Sequence, residues 1–225
     1  MLSREPAVLA GIGNTISSCR LITSNKNSPG PFFGIIEVQK KGIDSISTHN
    51  KFINNYIGNV YSRGMFFKNI NSEIIYGNYI SRELASKDSP VDTIFKAIEI
   101  TNAFSSSKPI VITQNEICNI PYSRPGLISG GGFINSLYGM DILTISGLVN
   151  SSSVEAVNIS RNYIHDMASD SRFFGVYTAN FSLVSMKYNF IEKANIYGPQ
   201  KGPVFSYGFY GISGNDLIID SNQVS

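Results

Sequence analysis

Val157-Asn158-Ile159-Ser160-Arg161-Asn162-Tyr163-Ile164 is the stretch that decides the fold. Val157 and Ile159 alternate with polar residues, the period-2 signature of a strand with one buried face. The alternation slips by two residues before Asn162, which marks a corner. Ile164 then opens a second inward-facing strand. The unit apolar-x-apolar-x-x-Asn-x-aliphatic returns around Asn115 (Ile110, Ile112, Ile117), Asn189 (Val184, Met186, Ile191) and Asn222 (Leu217, Ile219, Val224). Less complete copies surround Asn55, with Asn50 and Phe52 upstream, and Asn78, with Glu73 and Ile75. The weakest surrounds Asn14, with Leu9 and Gly11.

A further strand precedes each unit: Gly64 to Lys68, Ile94 to Thr101, Gly139 to Ile145, Phe173 to Thr178 and Tyr207 to Ile212. Each repeat thus has three short strands, and unequal spacing between the Asn residues points to a solenoid with loops of variable size. Spacings of 41 and 47 residues leave room for an extra rung each, supplied by Phe32 to Gln39 and Gly139 to Val149. Asn suits the corner because stacked amides about 4.8 Å apart can bond to each other and to the turn backbone, and because Asn tolerates left-handed geometry. The expected architecture is all-β, a right-handed parallel β-helix of about 7–9 rungs. Residues 1–13 are the lead-in and 14–225 the helix domain.

Composition agrees. The chain has 31 Ile, 31 Ser and 22 Asn against 10 Leu and 9 Ala, which excludes a helical bundle or coiled coil and favours strands and turns. With 18 basic and 16 acidic residues the net charge is +2, so no field attracts nucleic acid. No apolar run reaches the 18 residues of a membrane-spanning helix, and Met1 to Gly13 lacks the pattern of a secretory signal. Cys19 and Cys118 lie far apart, and neither has a His close in sequence. They are expected to be buried structural thiols, with no metal site and no cofactor.

This unit resembles the right-handed parallel β-helix repeat of pectate-lyase-like proteins, a superfamily that includes pectinases, alginate epimerases and phage tailspike depolymerases. The resemblance spans Asn14 to Ser225. It implies a three-sheet prism with a polysaccharide groove along one sheet and an extracellular, cell-surface or virion setting. The paired Asp-Asp, Gly-His-Gly and Asp-Pro-His-Asp motifs of individual families are absent, so no catalytic residue carries over. No capping helix is evident. The chain is therefore expected to be a piece of a longer β-helix, the alternative being a homotrimer whose neighbours cover its ends.

Candidate site residues follow from the strand pattern. Lys68, Glu99, Asp141 and Tyr177 are expected to face outward on the first strands. Glu99 lies between Ile98 and Ile100, whereas Asp141 is less clearly placed, because Met140-Ile142 and Leu143-Ile145 both could face in. On adjacent rungs the two would be about 5 Å apart and one rung further about 10 Å, which brackets retaining and inverting glycosidases; the alternative is two solvated carboxylates on a β surface. The segment His165 to Arg172 reads as a polar loop, with Asp166 and Asp170 as candidate catalytic groups and His165 and Arg172 as candidate binders of a uronate. It reads equally as an ordinary turn. His49 is a weaker candidate. Tyr177, Tyr197 and Tyr210 are candidate sugar subsites. Gly130-Gly131-Gly132 lacks the Lys-Ser/Thr of a phosphate loop. The function expected is a polysaccharide lyase, hydrolase, epimerase or binding protein. A non-enzymatic adhesive shaft is the alternative.

Overall fold

A computed structural model describes residues 7–9, 13–22, 33–38, 49–70, 72–82, 94–103, 108–120, 136–144, 157–169, 172–180, 183–196, 205–212 and 216–225. The described residues form seven three-stranded rungs. The first holds β1 (Ala7–Leu9), β2 (Thr15–Ser17) and β3 (Arg20–Ile22), and the second β4 (Phe33–Val38), β5 (Lys51–Ile53) and β6 (Tyr56–Gly58). The third holds β7 (Arg63–Lys68), β8 (Ile74–Tyr76) and β9 (Tyr79–Ser81), and the fourth β10 (Ile94–Ala103), β11 (Ile110–Thr113) and β12 (Glu116–Ile120). Next come β13 (Ser136–Thr144), β14 (Val157–Ser160) and β15 (Tyr163–Ser169), then β16 (Arg172–Ala179), β17 (Leu183–Lys187) and β18 (Phe190–Ile196). The last rung holds β19 (Phe205–Ile212), β20 (Asp216–Asp220) and β21 (Gln223–Val224).

First, second and third strands stack separately into three seven-stranded sheets, A, B and C, with every pairing parallel. The fold is a right-handed parallel β-helix. The two long spacings hold no extra rung among the described residues. The strand-like runs assigned to them are β4 and β13, the first strands of the rungs already counted. Inside the prism the aliphatic positions of the repeat form one continuous core that includes Ile75, Ile112, Ile159 and Met186 from sheet B and Ile80, Ile117 and Ile164 from sheet C.

The corner between sheets B and C is an asparagine ladder. Asn55, Asn78, Asn115 and Asn162 each donate from backbone N and side-chain Nδ2 to Oδ1 of the next Asn, at 2.9–3.1 Å. Asn189 does the same to Asn222. Each Nδ2 also donates to a carbonyl of a neighbouring rung, Asn115 to Ile75 and Asn162 to Ile112. Buried amides are thus satisfied, as burial requires. Asn14 is not in this column. In the first rung Cys19 takes the place, its backbone N bonding Asn55 Oδ1, whereas Asn14 sits a corner earlier and bonds Asn50 Oδ1.

Left-handed geometry at this corner belongs to the residue before each Asn, not to the Asn. Ser18, Asn54, Gln114, Arg161, Tyr188 and Ser221 have φ of 52–57°, and Gly77 fills the same place at 62°. The turn is therefore made by the preceding residue, and the Asn side chain locks it.

The imperfect copies carry buried polar groups. Asn50 and Glu73 occupy the inward place held by Ile110 and Val157 in later rungs, and both are fully buried. Glu37 faces in from sheet A, in the row that continues through Phe67 to Ile100, and accepts a hydrogen bond from Asn50 Nδ2 at 2.5 Å. Burial first, and the charge of Glu37 second, push the Glu73 carboxyl up to about 9.

Candidate functional site

Sheet A bends along its middle. A column of small residues, Gly34, Gly64, Ala97, Gly139, Gly175 and Gly208, is followed on each strand by an inward apolar residue such as Met65, Ile98 or Met140. Two successive residues therefore face in, and the outward side chains before and after them lean together. A Cβ at Gly139 would lie 2.5 Å from Gly175 O and 2.8 Å from Ile164 Cδ1, so the bend needs small residues. This recurrent Gly after an aromatic or basic residue is the signal that would have located the outer face from sequence.

Two rows flank the bend. The row before it runs Phe33, Arg63, Lys96, Tyr138, Phe174 and Tyr207, and the row after it Ile36, Phe66, Glu99, Asp141, Tyr177 and Tyr210. Glu99 and Asp141 are register partners on adjacent rungs. Tyr177 and Tyr210 continue the same row. Arg172 lies on this face beside Ser136 and Phe205, and Lys68 beside Val38 and Thr101.

The sequence reading missed Lys96, Arg63 and Tyr138. Lys96 Nζ stands 2.5 Å from both Glu99 Oε1 and Asp141 Oδ2, and Arg63 Nε lies 2.8 Å from Glu99 Oε2. Both carboxylates are buried, at 7% and 5% side-chain exposure, so they are not the solvated pair of an ordinary β surface. Burial draws the Lys96 ammonium down, but Asp141 and Glu99 together outweigh it and raise the pKa. Burial lifts the Asp141 carboxyl above its ordinary value, Lys96 opposes this, and Glu99 adds to the rise. Asp141 Oδ1 and Arg172 Nε are buried and have no hydrogen-bond partner among the described residues. The Tyr138 phenol is raised by burial and then by Asp141, with Tyr177 adding to the rise and Lys96 and Arg172 pulling it back.

Aromatic rings extend the cluster toward the seventh rung. Tyr138 stacks on Phe174 at 4.8 Å, Phe174 on Tyr207 at 5.5 Å and Tyr177 on Tyr210 at 5.7 Å. Ring faces that touch each other present edges and hydroxyls outward.

His165 and Asp166 are elsewhere. The segment expected to be a loop is largely strand β15, on the outer face of sheet C, and Arg172 already belongs to β16. Asp170, Tyr197 and Gly130 to Gly132 lie outside the described residues. Cys19 is exposed, contrary to expectation, whereas Cys118 is buried and pairs in register with His165, a neighbour that linear spacing concealed. No helix among the described residues is long and apolar enough to cross a membrane.

Comparison with protein-family models, curated proteins and solved structures finds no match. The chain is a parallel β-helix on its own geometry.

Proposed function

We propose that this β-helix acts on an extended polysaccharide laid along the outer face of sheet A, as a glycoside hydrolase of the pectate-lyase-like architectural class, in an extracellular, surface or virion setting. The observation that carries the reading is the Glu99–Asp141 pair, one of whose buried oxygens, Asp141 Oδ1, has no partner among the described residues. Adjacent rungs hold the two carboxyl groups about 5 Å apart, the spacing of a retaining pair. Their environments differ in the sense acid–base division needs. Asp141 has one cationic partner and a raised pKa, which suits a general acid. Glu99 has two cationic partners and suits the nucleophile. Lys96 must leave Asp141 as substrate enters. Arg172 and the Tyr138, Tyr177 and Tyr210 hydroxyls supply donors to sugar oxygens.

The test is a panel of neutral and uronate-rich polysaccharides incubated with the full chain. Release of reducing ends that falls at least 100-fold in both Asp141→Asn and Glu99→Gln, with the far-ultraviolet circular dichroism unchanged, is the expected result. Absorbance from an unsaturated uronate would replace hydrolysis with elimination. Absence of both turnover and binding would favour the second reading, a non-enzymatic shaft. That reading draws on the mutual neutralisation of Lys96, Glu99 and Asp141 and on the ring-to-ring stacking.

A further inference from the structure

On the outer face of sheet C, the three rungs carrying β9, β12 and β15 bring Tyr79, Glu116 and Tyr163 into one row and Ser81, Cys118 and His165 into the next. A carboxylate oxygen of Glu116, Sγ of Cys118 and a ring nitrogen of His165 all lie within 4.8 Å of one another. We propose that Glu116, Cys118 and His165 form a binding site for a divalent transition metal of the zinc type.

The hydrogen-bond arithmetic of the imidazole comes first. His165 Nδ1 is 2.6 Å from Asp166 Oδ2, and Nε2 is 3.1 Å from Glu116 Oε1. A neutral ring has one N–H for these two acceptors. With that hydrogen on Nδ1, the Nε2 lone pair and a carboxylate oxygen face each other and require a cation between them. A second proton or a metal ion serves, and the nearby thiol selects the metal. Carboxylate, imidazole nitrogen and thiolate together are a borderline-soft donor set that suits zinc.

The supporting groups are those such a site needs. A carboxylate accepting from the ring nitrogen that does not ligate fixes the tautomer and raises ligand basicity. Asp166 is placed to do this by the backbone. Its φ of 51° breaks the alternation of β15, so His165 and Asp166 both face outward and Met167 turns in. Asn119, with φ of 53°, makes the same bulge one rung earlier, directly after Cys118. Tyr163 stacks on the His165 ring at 4.0 Å and donates to Glu192. Cys118 Sγ donates to Tyr79 Oη at 3.2 Å and accepts from Asn119 Nδ2 at 3.4 Å. Once the thiol is deprotonated, the Tyr79 hydroxyl can reverse and donate to the thiolate. Cys118 and His165 are largely covered while Glu116 is 44% exposed, so the carboxylate side is the entry. Tetrahedral zinc sets ligand atoms about 3.3–3.8 Å apart, a contraction of about 1 Å from the present spread. A water completes the fourth position.

The probe is Co²⁺ alone, titrated into the full chain carrying Cys19→Ser so that Cys118 is its one thiol. The expected result is one Co²⁺ per chain, with a near-ultraviolet thiolate charge-transfer band and visible bands of tetrahedral intensity, all abolished by equimolar Zn²⁺. Adding Cys118→Ser should remove the charge-transfer band, and His165→Ala should remove the tetrahedral bands. Asp166→Asn should weaken binding about 10- to 100-fold while keeping the spectrum. Unchanged circular dichroism of each variant shows that the β-helix persists. The proposal is overturned if no thiolate band forms at millimolar Co²⁺ while the Cys118 thiol titrates as reduced, or if the band survives both His165→Ala and Glu116→Gln. The first outcome would assign the cation between His165 and Glu116 to a proton.

Discussion

The B–C corner and the outer face of sheet A share one rung spacing but differ in what repeats. At the corner Asn recurs from Asn55 to Asn222, and each side chain makes the same bonds to the next. On the outer face the residue changes through the middle rungs, from Phe66 to Glu99 to Asp141 to Tyr177. Positions that repeat carry the coil, because a stacked amide is satisfied only by another like it. Positions that vary are released from that duty and hold the chemistry.

The sharpest way to break this contrast is to remove one ladder residue. Asn115→Ala deprives Asn78 N and Nδ2 of their shared acceptor and Ile75 O of its donor, all buried. A loss of about 4 kcal/mol is expected in urea unfolding, since each stranded group costs about 1–3 kcal/mol. Tyr210→Phe, which keeps the stacked ring of a half-buried outer-face residue, should change stability by about 1 kcal/mol at most in the same measurement. Equal losses at the two positions would erase the distinction.

An interior position that departs from the repeat sharpens it. The folded Glu73 carboxyl titrates near 9 rather than 4.5. The folded state therefore holds its proton more tightly than the unfolded state does. Stability is complete below pH 4.5 and falls as pH climbs toward 9, by at most about 1.4 kcal/mol per pH unit. Glu73→Gln should flatten that decline and be a few kcal/mol more stable than the parent at pH 8. An unchanged pH profile would refute the assignment.

The smallest effect lies at the turn itself. Gly77→Ala puts a Cβ 2.2 Å from Asn54 Oδ1, on an exposed side chain that can swing aside. Six other rungs hold a non-glycine residue at the equivalent place. The expected cost is about 1 kcal/mol by thermal unfolding, the ordinary penalty of left-handed backbone.

Much of the coil was legible because the repeat marks it directly: Ile112, Asn115 and Ile117 announce two strands and the turn between them. Asn14 misled because an Asn-x-aliphatic triplet also fits the earlier corner, where backbone bonding differs. Of the candidate site, Glu99 was readable from alternation; Asp141 was less so, because Met140-Ile142 and Leu143-Ile145 both fit inward-facing pairs. Lys96 was not, because two inward residues separate it from Glu99 and hide their contact across the bend. Cys118 and His165 were invisible together, being 47 residues apart in the chain yet one rung apart in space.

The left-handed residue ahead of each ladder Asn points its side chain into solvent at Ser18, Asn54, Gln114, Arg161, Tyr188 and Ser221. These places form one column along the outside of the molecule, interrupted only at Gly77 among the described residues, with successive coils about 4.8 Å apart. Because neither the core nor the amide column depends on what stands there, the line can be rewritten residue by residue, making the edge of this protein a molecular ruler for spacing grafted groups.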